Sequence, residues 1–128
     1  MKLLLDTHLL LWVAADMLPH EAAVYIQNDS NHLFFSPASI WEIVIKLGLG
    51  RADFSVDPYL LCSGLLDNGY EQLAITSQHT LLTATMPMLH KDPFDRLLLA
   101  QAIAEGMALL TADQILVQYP APVILVRK

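Results

Sequence analysis

Short apolar runs that end abruptly in a polar residue constrain this chain more than any other feature. Residues 2–5, 33–35, 107–111 and 123–126 are each too short for a stable helix, and none of them alternates polar with apolar. A strand covered on one face alternates, whereas a strand covered on both faces reads as a nearly continuous apolar run. The stretches between these runs carry helical spacing. Leu9, Leu10, Trp12 and Val13 recur on one side after the first run, and Ile40, Val44 and Leu47 do so after the second. Short buried strands alternating with helices predict an α/β fold: a mainly parallel central sheet of about four to five short strands, flanked by helices.

The helices mark their own starts. Ser36-Pro37, Asp57-Pro58 and Asp92-Pro93 each put a capping side chain before a proline in the first turn, where the missing N–H has no helical partner to lose. Helices are expected over 19–27, 37–48, 59–66 and 77–84, with Ser77 as the cap of the last of these. The helix that opens at Asp92 stops at Gly106, and a further short strand is expected over 72–75. A chain of 128 residues without repeats or linkers is expected to be one domain over 1–128.

Composition narrows the class. The chain is 55% hydrophobic and 16% charged, more apolar surface than one small core hides, so a homodimer or a partner groove is expected. A net charge of −6 argues against electrostatic capture as the main source of nucleic-acid affinity, although clustered acids can hold cations that meet phosphates instead. Cys62 is the only cysteine, which excludes a disulfide framework and a cysteine zinc site and reads as a small buried or half-buried hydrophobe. Asp6 and His8 interrupt the apolar start where a signal peptide would not tolerate them, and no run approaches the roughly 18 apolar residues of a membrane span. A cytoplasmic protein is expected.

Each acid of interest has a local explanation. Asp6 can cap the helix that follows the first strand, and Glu42 can pair with Lys46 one turn later. Asp92 is the cap of its helix, and Asp95 sits favourably in the positive first turn. His8 reads as a first-turn helix residue. Their placement says more. Asp6 and Asp113 follow strands, at the carboxyl edge where parallel sheets bind ligands; Asp95, in the first turn of a helix, and Glu42, about two turns into one, can both lean over that edge. Four converging carboxylates repel and raise one another's pKa unless cations occupy the site. Oxygen ligands without imidazole or thiolate select Mg²⁺ or Mn²⁺. Such ions acidify a bound water and neutralise a phosphate under attack, which points to phosphodiester hydrolysis. Neither a Gly-x-Ser-x-Gly elbow nor a phosphate-cradling glycine loop is present.

Four motifs in order carry a family resemblance: residues 5–12, LDTHLLLW; 39–46, SIWEIVIK; 90–102, HKDPFDRLLLAQA; and 110–113, LTAD. Together they resemble the PIN-domain family, and within it the VapC-type toxins of type II toxin–antitoxin systems. The resemblance implies a parallel-sheet nuclease that holds Mg²⁺ or Mn²⁺ on Asp6, Glu42, Asp95 and Asp113 and cuts single-stranded RNA, leaving a 5′-phosphate and a 3′-hydroxyl. It places Thr7 and Thr111 where hydroxyls orient an acid or a water, and it leaves Asp92 open as cap or site residue. It also implies a cognate antitoxin; given the apolar composition, Leu9, Trp12, Val13 and Trp41 are expected either to line a groove for it or to be ordinary core. Lys46, Arg51, Lys91 and Arg96 are the basic residues placed to meet RNA backbone, or are ordinary solvated charges. An aspartyl-nucleophile phosphatase would want an acid where His8 stands, and a receiver domain would want adjacent acids and a partner lysine. A non-catalytic binding module on the same fold, or another metal-dependent phosphate hydrolase, stays open.

Overall fold

Leu3, Leu4 and Leu5 have no exposed surface, and the strand that contains them, β1 (Lys2–Leu5), is the middle of the sheet. The structure is a computed structural model that describes residues 1–50 and 55–128. Its strands β2 (His32–Phe35), β3 (Glu71–Gln72), β4 (Ala108–Thr111) and β5 (Val123–Leu125) join β1 in the order β3-β2-β1-β4-β5. Every pairing is parallel. Side chains alternate across the sheet, and both faces are covered. Leu3, Leu5, Phe35 and Leu110 pack with Leu9, Leu10, Ile43, Leu61 and Leu65 on one side. Leu4, Phe34 and Leu109 pack with Leu98, Leu99 and Leu116 on the other. Each fully buried leucine contributes about 1.5–3 kcal/mol relative to exposure. These contacts are why the runs lack polar alternation.

Six helices surround the sheet among the described residues: α1 (Thr7–Ala14), α2 (His20–Ile26), α3 (Pro37–Gly48), α4 (Pro58–Asp67), α5 (Ser77–Leu82) and α6 (Pro93–Glu105). The expected caps form. Ser36 accepts from the Ala38 amide at 3.1 Å, Asp57 from Tyr59 at 2.9 Å and Asp92 from Phe94 at 2.9 Å. Gly106 ends α6 at φ 67, the left-handed conformation that a Cβ disfavours.

Two elements differ from expectation. The third strand covers Glu71–Gln72 rather than 72–75. Its only strand neighbour among the described residues, β2, ends at Phe35, and the Leu73 carbonyl then accepts from the Gln101 side chain instead of a strand. Thr76, not Ser77, caps α5. Its hydroxyl accepts from the His79 amide at 3.3 Å while His79 Nδ1 accepts from the Thr76 amide at 3.0 Å. Buried His79 plays the part that Glu or Gln takes in a capping box, held by Glu105 at 2.7 Å. The helix ends at Leu82 and a 3₁₀ turn, Thr83–Thr85, follows.

From β1 the chain builds outward to β2 and β3, then returns to the other side of β1 for β4 and β5. Neighbouring connections therefore leave β1 and β4 in opposite directions. The gap this opens over their carboxyl ends is the usual ligand crevice of an open parallel sheet.

Candidate metal centre

Asp6 is the first residue past β1, and its amide donates to the Leu110 carbonyl at 3.1 Å, which fixes it beside β4. One carboxylate oxygen caps α1 by accepting from the Leu9 amide at 3.0 Å. The other accepts from the Thr111 hydroxyl at the end of β4. Thr111 in turn accepts from the Asp113 amide at 3.0 Å, so one hydroxyl joins the acids that follow two adjacent strands. The local cap and the shared site are thus both present in Asp6.

From α3 comes Glu42, buried although charged. Its Oε1 accepts from the Thr7 hydroxyl at 2.7 Å, and Ser39 Oγ lies 3.0 Å from that same hydroxyl. Its Oε2 pairs with Lys46 Nζ at 2.6 Å, the spacing of one helical turn. Asp92 is the α6 cap, accepting from Phe94 and, at 3.4 Å, from Asp95. Asp95 stands one turn edge further in. All five carboxylates, Asp6, Glu42, Asp92, Asp95 and Asp113, line one cleft of about 390 Å³.

The electrostatics follow from this crowding. Burial first, then the carboxylates of Asp92, Asp6, Glu42 and Asp113, push the Asp95 carboxyl up to about 8. Asp6 is also raised, by burial above all, against the lowering effect of the Thr111 and Leu9 hydrogen bonds. Such a cleft is short of positive charge, and a divalent cation meets that need. The donor set fits a hard cation, being carboxylate oxygen from four separate segments. The tightest grouping among the described residues, however, is His90, Asp95 and Asp113, whose ligand atoms lie within 4.8 Å of one another. Asp6 and Glu42 face the same cleft outside that trio.

His90 is the residue that sequence reasoning passed over. Its Nε2 lies 2.7 Å from Asp113 Oδ2 and 3.1 Å from Asp95 Oδ2, and its Nδ1 accepts from the Asp92 amide at 3.1 Å. The available signal was its place two residues before an Asp-Pro cap, where an imidazole can take the cap residue's own N–H. Ser39, buried against Thr7, carried no comparable signal.

Among the proposed RNA contacts, Arg96 is corrected. It is buried, and its guanidinium donates to the Thr83 carbonyl at 2.8 Å and the Pro87 carbonyl at 3.4 Å, bracing the loop before α6. Lys46 lines the cleft, Lys91 is exposed, and Arg51 lies outside the described residues. Lys128 also reaches the cleft, 5.8 Å above the Trp12 ring.

Of the residues expected in an apolar groove or in the core, Val13 lines a pocket of about 440 Å³ with Leu60, Leu61 and Leu65. Leu9 is in the core, and Trp12 lines the acidic cleft. Trp41 is exposed, edge-on to Phe94 at 5.5 Å. A larger apolar groove of about 680 Å³ runs between α3 and α4, lined by Ile40, Val44, Leu47, Tyr59, Cys62 and Leu66.

No helix among the described residues is long and apolar enough to cross a membrane. In sequence the chain matches no curated protein. Its fold is similar to VapBC2 from Rickettsia felis bound to a promoter DNA fragment, at TM-score 0.74 and 16% identity over 100% of this chain and 99% of that one. It is similar also to DNA-bound VapBC from Salmonella typhimurium, at TM-score 0.68 and 16% identity over 97% of each chain. VapBC-1 from nontypeable Haemophilus influenzae aligns at TM-score 0.65 and 17% identity over 98% of each. The PIN domain family model matches residues 3–122, nearly the whole chain, and the protein belongs to that family.

Proposed function

We propose that this protein is a Mg²⁺- or Mn²⁺-dependent endoribonuclease of the VapC type, a toxin that cuts single-stranded RNA in the cytoplasm. One observation carries the reading: carboxylates from four distant segments, Asp6, Glu42, Asp95 and Asp113, meet at the crevice between β1 and β4 and are short of positive charge there. Family membership supports nuclease chemistry, and the VapBC complexes among the structural neighbours support an antitoxin partner.

Asp6, Asp95 and Asp113 would hold the ion, with Glu42 completing the site or orienting a water. Bound there, the ion supplies an acidified water and neutralises charge that develops on the scissile phosphate. The chain's own residues do the rest. Thr111 fixes the Asp6 carboxylate, and Thr7 and Lys46 hold the two oxygens of Glu42, so these acids do not reorganise when substrate arrives. Lys46 and Lys128 put positive charge at the cleft for RNA phosphates, and the Trp12 ring offers a base a stacking surface. The α3–α4 groove suits an apolar antitoxin segment, and the remaining exposed apolar side chains suit a homodimer.

The test is incubation with a panel of single-stranded RNAs in Mg²⁺, Mn²⁺ or EDTA, with melting curves alongside. Cleavage should require the ion, and the ion should stabilise the fold by about 2.7 kcal/mol at 100 times its dissociation constant. RNA left intact in both ions overturns the nuclease reading, and a melting curve indifferent to them overturns the shared site.

A further inference from the structure

The His90 ring lies against the carboxylates of two of the proposed ligands at once, and its part in the site follows from its hydrogen bonds. The ring is held between the α6 cap and the far side of the cleft, and the His90 amide donates to the Tyr119 hydroxyl oxygen at 2.9 Å. The backbone N–H of Asp92, 3.1 Å from Nδ1, can only donate, so Nδ1 is the acceptor and the ring proton sits on Nε2. A ring protonated on both nitrogens would set donor against donor at Asp92. Nε2–H then donates to Asp113 Oδ2 at 2.7 Å, and Asp95 Oδ2 lies beside it, 3.1 Å from the same nitrogen. A nitrogen that carries its proton has no lone pair to give a cation.

We infer that His90 is a positioning residue rather than a metal ligand: its Nε2–H, pinned by the Asp92 amide, holds Asp95 and Asp113 side by side for the ion. The inference rests on the metal-nuclease reading and deepens it. Two carboxylates from different elements, one after β4 and one on α6, would otherwise turn away from each other. An N–H bonded to one and lying against the other offsets part of their repulsion and leaves each with lone pairs for a hard cation. The ion then meets oxygen ligands alone, although an imidazole stands within ligand distance of them. Groups that orient first-sphere ligands in this way typically govern affinity by about 10- to 100-fold.

The experiment measures Mn²⁺ binding by calorimetry and RNA cleavage in the same buffer for the wild type, His90→Leu and His90→Gln. It adds the ¹⁵N spectrum of the His90 ring without ion and in Mg²⁺. His90→Leu should bind Mn²⁺ at least tenfold more weakly. His90→Gln, whose side-chain amide can bring an N–H close to the position of Nε2, should recover most of that loss. The ring of the wild type should keep its proton on Nε2 when Mg²⁺ is added, a readout that needs no variant to fold. Loss of that proton on adding the ion makes His90 a ligand and overturns the inference, as does unchanged Mn²⁺ affinity in a folded His90→Leu. Mn²⁺ binding that depends on His90 without RNA cleavage overturns the nuclease reading and leaves the inference standing.

Discussion

Two concavities flank α3, and the same helix builds one wall of each. Glu42 and Lys46, four residues apart, face the acidic cleft, whereas Ile40, Val44 and Leu47 face the apolar groove shared with α4. The cleft is smaller, about 390 Å³ against about 680 Å³, and its acids are held in place by named partners such as Thr7, Thr111 and His90. The groove is open and mainly apolar: Val44 and Leu66 leave about half their surface to water, 47% and 51%, and Tyr59 leaves 86%. Each is unfinished in its own currency. The cleft holds more negative than positive charge, which costs Coulomb energy in a poorly solvated place, and the groove lacks cover, which costs roughly 25 cal/mol for each Å² left wet. Rigid, bonded acids suit chemistry, while an open apolar face suits a second chain.

The largest expected effect separates the two at once. Asp95→Asn should reduce RNA cleavage to background while the groove, and any partner that binds it, is untouched. The same substitution should stabilise the ion-free protein, and the sign follows from the raised pKa. With the folded value near 8 and the ordinary value 3.8, the unfolded chain ionises more readily than the folded one. Stability is therefore fullest below pH 3.8 and is lost as pH rises towards 8. Asp6, raised as well, adds in the same direction. Melting curves from pH 4 to 8 should show the Asn variant gaining on the wild type as pH rises, and Mg²⁺ should close the gap. A wild-type melting temperature flat across that range would mean that the acids are not crowded.

A smaller effect tests the border of the cleft. Asp92 lines it but also caps α6. Asp92→Ala should cost about 1 kcal/mol, whereas Asp92→Asn, an equally good cap, should leave stability nearly unchanged. Thermal denaturation gives the first result and RNA cleavage the second. A folded but inactive Asp92→Asn would place Asp92 among the ion's ligands.

The smallest effect on the protein itself belongs to the groove. Val44→Asp changes an exposed position, so stability should stay within about 0.5 kcal/mol and cleavage should persist. Binding of the antitoxin chain co-expressed from the native operon should be lost, as read by co-purification. Lost cleavage with retained partner binding would reverse the roles given to the two sides of α3.

What the chain shows by itself is what depends on neighbours a few residues away. The Asp57-Pro58 and Asp92-Pro93 caps, the glycine stop at Gly106 and the apolar runs of the buried strands all formed as read, because capping and backbone conformation act within one turn and burial on two faces leaves its mark on every residue of a strand. The parallel α/β fold followed from them. So did the placing of Asp6 and Asp113 at the carboxyl edge, since each is tied to the end of its own strand.

Tertiary packing decided the rest. Arg96 looks like any solvated helix cation until the Thr83 and Pro87 carbonyls arrive from an earlier loop to surround it. Leu9 and Trp12 are three residues apart on α1, yet only the sheet beneath determines that the first is core and the second lines the cleft. The third strand is short because β2 ends and Gln101, from α6, takes the next carbonyl. His90 meets Asp113, 23 residues away, only in the folded chain. Residue types announce what a side chain can donate or accept, but which partner answers depends on chain segments brought together by the burial of apolar surface, a force that is not directional and leaves no pairwise signature in the sequence.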